Sequence, residues 1–214
     1  MGILPRHLLL ATHNEHKRRE FARLFATHRD GTGELEGQKR DSVAEACHVE
    51  RLPEGVVMPP EKAQTFAENA LGKARAAAQA TGCVSIADDS GIEAAALGGA
   101  PGVRSARYAG EGASEQENLQ KLLREAPPGS ALEYVCALAY VDPAQGVERV
   151  FEGRCGGRLA AEPRGQRGFG YDPAFLADSG PEGLTMAELT DVQKDAISHR
   201  GNAVRALLAW LREG

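Results

Sequence analysis

Apolar and polar positions along this chain form blocks whose period changes several times. Leu8-Leu9-Leu10-Ala11 is a short continuous apolar run and predicts a first strand over 7–11. Thr12-His13-Asn14 is polar and turn-like, and from Lys17 onward Phe21, Leu24 and Phe25 fall at helical spacing. This is a strand–turn–helix opening, and such a turn can present backbone N–H groups to an anion. Residues 29–64 are polar and Gly-containing, with Pro53, Pro59 and Pro60 late in the stretch. They predict a long loop, with one irregular strand near Val56-Val57-Met58. Thr65-Phe66-Ala67-Glu68 has the pattern of a capping box, and the helix it starts runs to about Ala80 with Phe66, Ala70, Ala74 and Ala77 on one face.

The next apolar run, Val84-Ser85-Ile86-Ala87, reads as a buried strand that delivers Asp88-Asp89-Ser90 to its carboxyl end. Gly91 then permits a sharp turn, and residues 92–97 extend the sheet. Gly98-Gly99-Ala100-Pro101-Gly102 is a loop. Ser114-Glu115-Gln116-Glu117 is a second capping box, followed by Leu119, Leu122 and Leu123. Residues 132–141 and 147–152 predict a hairpin around residues 142–146. The Gly-rich stretch 165–170 enters Tyr171-Asp172-Pro173, and the residues from Ser198 form a last helix with Ala203, Leu207, Leu208 and Leu211 inward. Strands and helices mix without strict alternation. That favours an α/β fold with a mixed sheet over a purely parallel one.

Composition narrows the class without changing that picture. The 214 residues suffice for one sizeable core, and the hydrophobic (42%) and charged (26%) shares are those of a globular protein. A net charge of -5 advertises no nucleic-acid partner, so an anionic ligand must meet a local basic cluster. Cys47, Cys83, Cys136 and Cys155 are scattered without a Cys-x-x-Cys pair, which points to free thiols in a reducing cytosol. No apolar run approaches a signal-peptide core or a membrane span, and the expectation is a cytoplasmic protein.

Four constellations carry candidate chemistry. Thr12, His13, Asn14 and Lys17 place a hydroxyl, an amide and an ammonium at a helix start, suited to a triphosphate; an Asn-capped helix with a solvated Lys is the plainer alternative. Glu61, Glu68 and Lys73 accompany Asp88-Asp89-Ser90. Adjacent carboxylates repel, so each needs a cation, and Mg²⁺ is the natural hard one. The alternatives give Glu68 to its cap, Lys73 to solvent and Asp89 to a turn. Gly168-Phe169-Gly170-Tyr171-Asp172 allows close backbone approach beside two flat rings, or is only a turn packed by its aromatics. Lys194, His199 and Arg200 form a basic group entering the last helix, fit for an anion or a base edge, or simply a basic helix end.

Taken together and in order, these segments resemble the inosine triphosphate pyrophosphatase family, also called Ham1-like. The resemblance runs from Leu8 to the C-terminal helix. It is carried by Ala11 to Lys17, Thr65 to Ala70, Ala87 to Gly91, Gly98 to Gly102, Ser105-Ala106-Arg107-Tyr108, Gly168 to Pro173 and Ala196 to Gly201. It implies a single domain over 1–214, an elongated mixed α/β sheet with flanking helices, and two lobes around a central cleft, usually as a homodimer. It also implies Mg²⁺-dependent hydrolysis of purine nucleoside triphosphates such as ITP, dITP and XTP to monophosphate and pyrophosphate, which cleans the nucleotide pool. Thr12 to Lys17 would meet phosphate, Asp89 would be the metal-associated proton acceptor, and Glu61 a further metal ligand. Ser90, Phe169, Gly170, Tyr171, Asp172, Lys194, His199 and Arg200 match the remaining substrate contacts. The family often carries two acids shortly before its Thr-Phe helix; here Pro60 precedes the single Glu61. A Maf-like pyrophosphatase and a nucleotide-binding module without activity are the competing readings. The Ser198-His199-Arg200 ending argues against the first, and the retained Asp88, Asp89, Lys17 and Lys73 against the second.

Overall fold

A computed structural model describes residues 7–27 and 47–213. The chain order is β1 (His7–Leu10), α1 (Glu15–Thr27), β2 (His48–Arg51), α2 (Phe66–Thr81), β3 (Ser85–Ala94), α3 (Glu115–Glu125), β4 (Ala131–Asp142), β5 (Val147–Leu159), β6 (Phe175–Ala177), α4 (Asp191–Ile197) and α5 (His199–Glu213). Short 3₁₀ turns lie at Ala95–Leu97, Gly102–Arg107 and Asp172–Ala174. Among the described residues six strands form one mixed sheet in the order β2-β1-β3-β4-β5-β6. β1 is parallel to both its neighbours, and the remaining pairs are antiparallel. This is the mixed α/β sheet with flanking helices that the pattern predicts.

The core follows from side-chain size. The small buried residues Ala70, Ala74, Ala77 and Ala78 let α2 lie close to β3 and β4, against Ala87, Ala137 and Ala139. On the other face Phe21, Leu24, Val204 and Leu207 join α1 and α5 over Leu8, Ile86 and Leu138. A further cluster gathers Ile92, Leu119, Leu122 and Leu132 with Phe175 and Met186 at the far end of the long strands. Gly153 lets the start of α5 rest directly on β5, because a Cβ there would come within 2.1 Å of the His199 carbonyl oxygen. Among the described residues no helix is long and apolar enough to cross a membrane, and Cys83, Cys136 and Cys155 are free thiols.

Five expectations change. The strand after α1 is His48–Arg51 and not 56–58; His-Val-Glu-Arg is too short and polar for periodicity to reveal, and it forms only as an edge strand on β1. Residues 29–46 of the predicted loop lie outside the described residues. Asp88 and Asp89 sit within β3 and not at its end, because β3 continues unbroken to Ala94 along β4. Gly91 makes no turn: a Cβ there would meet Ser105 Oγ, the Gly102 carbonyl and the Phe66 ring at 2.4, 2.6 and 2.9 Å, so the position is glycine for close packing. The sheet extension stops at Ala94, and residues 95–97 are 3₁₀. The Thr65 box is only half formed: Thr65 Oγ1 accepts the Glu68 N–H, but the Glu68 carboxylate takes the Thr65 hydroxyl instead of its backbone. The Ser114–Glu117 box is complete.

Candidate active site

β1 ends level with Ile86 of β3, so β3 runs on past the carboxyl end of β1. The turn after β1 therefore faces Asp88, Asp89 and Ser90 across a cleft of about 570 Å³. Thr12, His13, Asn14, Lys17, Glu61, Lys73, Asp89, Ser90, Phe169, Gly170, Tyr171, Asp172, His199 and Arg200 all line it. Lys194 does not; it lies beneath, with its ammonium 5.3 Å from the centre of the Phe169 ring. Glu68 is exposed and off the wall, given to its cap.

At the helix start both uses weighed for Asn14 and Lys17 meet a definite geometry. Asn14 Oδ1 accepts the N–H groups of His16 (2.9 Å) and Lys17 (3.1 Å), the bonds of a cap. Lys17 is not solvated in the way a plain cap would leave it. Its ammonium is 2.8 Å from Asp88 Oδ2.

Strand alternation sends the two aspartates to opposite faces of the sheet. Asp88 is fully buried. It meets Lys17, the Ser90 hydroxyl, and Arg200 at 3.7 Å. Arg200 also donates to Ser90 Oγ (3.1 Å) and to Glu20 Oε2 (3.0 Å). Glu20 and Asp172 share Lys194 at 2.5 and 2.6 Å, and Tyr134 donates to Asp172 Oδ1 at 3.1 Å. Three carboxylates (Asp88, Glu20, Asp172) thus face three cations (Lys17, Lys194, Arg200) in one buried web. Burial pushes the carboxyls of Asp88 and Glu20 up, but the surrounding cations outweigh it and hold both below the ordinary range. Burial lowers and the acids raise Arg200 and Lys194, with a net rise for each.

Asp89 is different. It accepts from Asn69 Nδ2 at 2.9 Å, and the Lys73 ammonium that balances it is bonded to Glu61. Burial first, and then the Glu61 charge, raise the Asp89 carboxyl above its ordinary value, against the pull of Lys73, Lys17 and Asn69. Arg107 fixes Glu61 from behind through its carbonyl, at 3.0 Å. This wall holds two carboxylates against one ammonium. Among the described residues no three His, Cys, Asp or Glu side chains cluster to cage a metal. Mg²⁺ seldom needs such a cage: one or two carboxylates, waters and substrate phosphates suffice. The oxygen donors and the negative excess of Glu61 and Asp89 fit that ion.

Around the Gly-rich turn, Phe169 N–H donates to Asp172 Oδ2 and Gly170 N–H to Glu115 Oε2, both at 2.9 Å. His199 stacks on Tyr134, with ring centres 4.5 Å apart and 7° between planes. Burial, then Arg200 and Lys194, push its imidazole well below its ordinary value, so it is neutral at pH 7. Its Nδ1 has no hydrogen-bond partner among the described residues. A buried polar atom left this way on a cleft wall is suited to a ligand. Glu20, Asn69, Tyr134 and Glu115 were not singled out from the sequence. Only Glu20 left a readable trace there, an acid inside the apolar helical stripe of Phe21 and Leu24.

Residues 8–210 match the Ham1 family. A Frankia alni protein named dITP/XTP pyrophosphatase is 46% identical over 217 residues, covering 96% of this chain and 97% of its own. A protein of the same name from Escherichia coli strain K12 is 48% identical over 165 residues, 75% of this chain and 83% of that one. Among solved structures, a HAM1 protein from Coxiella burnetii superposes with a TM-score of 0.78 at 36% identity, covering 97% of this chain and 99% of its own. The Ham1 protein of Staphylococcus aureus gives 0.76 at 35% identity, covering 97% and 98%. The cleft, its acid pair and its basic floor are therefore those of a member of the Ham1 family, to which this chain belongs.

Proposed function

We propose that this chain hydrolyses the purine nucleoside triphosphates ITP, dITP and XTP to monophosphate and pyrophosphate, with Mg²⁺, and so cleans the nucleotide pool. One observation carries the reading. A single cleft is lined by an anion-suited turn, a carboxylate pair with unbalanced negative charge, and an aromatic ring with a neutral imidazole. The names of the Frankia and Escherichia relatives point to the same substrates.

Asp89 is the base in this reading. It takes a proton from water as the water oxygen bonds to the α-phosphorus and the bond to the β-phosphate bridging oxygen breaks. Pyrophosphate leaves. A carboxylate raised above its ordinary value is better matched to that task than an unperturbed one. Lys17 and Lys73 bring positive charge to the phosphates. Glu61 and Asp89 would hold Mg²⁺, which when bound neutralises phosphate oxygens. Phe169 offers a flat face to the purine, and His199 and Arg200 offer N–H groups to an oxygen at C6. Adenine carries an amino group there, so donor would face donor, at a cost of about 1–3 kcal/mol for each buried group left unpaired.

The experiment is pyrophosphate release from ITP, dITP, XTP, GTP and ATP, with Mg²⁺ and with EDTA. The expected result is turnover of the first three and a kcat/KM for ATP lower by roughly 10- to 100-fold. EDTA should abolish all of it. Orthophosphate as the first product would sink the reaction class, equal rates on ATP and ITP the base assignment, and turnover in EDTA the metal.

A further inference from the structure

One contact at the site belongs to none of the roles above. The ring of His16 stacks on Phe169, with centres 5.2 Å apart and planes 23° from parallel. The two residues come from distant parts of the chain, the first turn of α1 and the Gly168–Asp172 turn. Phe169 lines the cleft, whereas His16 is exposed and forms no part of the cleft wall. Lys194 and Arg200 also lie over the ring, 5.3 and 5.0 Å from its centre, so the imidazole is one of three groups that hold it. His16 is itself fixed, since its backbone N–H is bonded to Asn14 Oδ1 within the anion-suited turn. The Gly168–Asp172 turn takes φ of +70° at Gly168 and +63° at Gly170, which glycine adopts without strain, and Phe169 N–H is bonded to Asp172 Oδ2. Glu115 holds it at Gly170 from α3, and His16 holds it at Phe169 from α1.

We infer that His16 is a positioning residue that buttresses Phe169 and ties the base platform to the phosphate turn. The inference rests on Phe169 being the base platform of the proposed reaction. Its substrate-level consequence is that a purine meets a ring already locked, and that ordering of the Asn14 turn by phosphate also orders the platform. The stack acts on the flat face of the purine and not on its edge, so the effect is blind to the C6 substituent.

Two variants test it, His16→Ala and His16→Phe, each measured two ways. The first measurement is amide hydrogen exchange of residues 168–172 without nucleotide. Exchange should be faster in His16→Ala and return to the wild-type rate in His16→Phe, which restores a stacking ring. This arm needs no activity and stands even if the proposed reaction fails. The second is steady-state kinetics on ITP and XTP. In His16→Ala, KM should rise by about 2- to 12-fold, the range expected for an aromatic pair, equally for both substrates and more than kcat changes. His16→Phe should recover most of it. Unchanged exchange in His16→Ala, or a kcat loss at constant KM that His16→Phe does not repair, would overturn the inference and leave His16 to the phosphates alone. Wild-type protein inert on every nucleotide would instead overturn the proposed function, with the exchange result still deciding the buttress.

Discussion

Asp88 and Asp89 are neighbours in sequence and occupy two different electrostatic regions. On one face of β3, Asp88 is enclosed in a web where three acids meet three cations, which hold its carboxyl well below the usual carboxylate range. On the other face, Asp89 shares one lysine with Glu61, lines the cleft, and binds its proton more tightly than a free aspartate. The pleat alone separates them. A pair of carboxylates that would repel on one surface is divided into one that meets Lys17 and Arg200 in the buried web and one that lines the cleft with its carboxyl raised above the ordinary value. Buried ion pairs seldom add net stability relative to apolar packing, so a web this large is better understood as scaffolding for the cleft than as reinforcement of the core.

The sharpest way to break the comparison is Asp89→Asn. It keeps the shape and removes the base, so kcat on ITP should fall by ~10²- to 10⁴-fold with little loss of fold stability. Near-normal kcat would move the base elsewhere. Asp88→Asn should do the reverse in kind. Removing one member of a buried charge web leaves its partners uncompensated, at about 3–5 kcal/mol, read as a lower urea midpoint. An unchanged midpoint would mean Asp88 does not stabilise the web. Glu61→Gln comes next: the Mg²⁺ concentration for half-maximal rate should rise by at least roughly 10-fold, the lower bound when even a supporting partner of a metal site is lost. A constant Mg²⁺ requirement would remove Glu61 from the metal.

The smallest effect is in pH, and its sign separates the two residues. Asp89 must be ionised to act, and its value lies above the ordinary 3.8, so kcat/KM should fall with acid before a free aspartate would titrate. Asp88 has a depressed value. Its stabilisation is therefore complete above 3.8 and lost only as pH falls through the lower folded value. Activity should fail at a higher pH than the contribution of the web. Glu61→Gln removes one charge that raises Asp89 and should carry the acid limb of the activity profile to lower pH; a limb that stays in place would exclude Asp89 as its source.

Much of this was legible in the chain because it depended on local pattern. Periodicity located α1, α2, α3, α5 and the β4–β5 hairpin, and the acid–hydroxyl–glycine run located the cleft. The parts that were not legible depend on distant partners. His48–Arg51 is a strand only because β1 lies beside it. Gly91 looked like a turn, since nothing nearby in sequence announces the Phe66 ring or the Ser105 hydroxyl that crowd it. Lys194 reads from the sequence as part of a basic group for an anion or a base edge, or as a basic helix end, and what buries it beneath the cleft is Glu20 and Asp172, 174 and 22 residues away. The Thr190–Gln193 capping box that opens α4 is a local Thr-x-x-Gln pattern of the same kind as the Ser114–Glu117 box.

The same web has a consequence for how the protein comes into being. Its anions are drawn from α1, β3 and the Asp172 turn, but Lys194 and Arg200 arrive with the last two helices. A growing chain that has made everything up to β6 already owns Lys17, Lys73, Asp88 and Asp89, yet faces three buried acids with only one of their three cations. It cannot seal that region without leaving charge uncompensated. The charge balance of the cleft floor is therefore complete only once α4 and α5 are packed against α1 and β3.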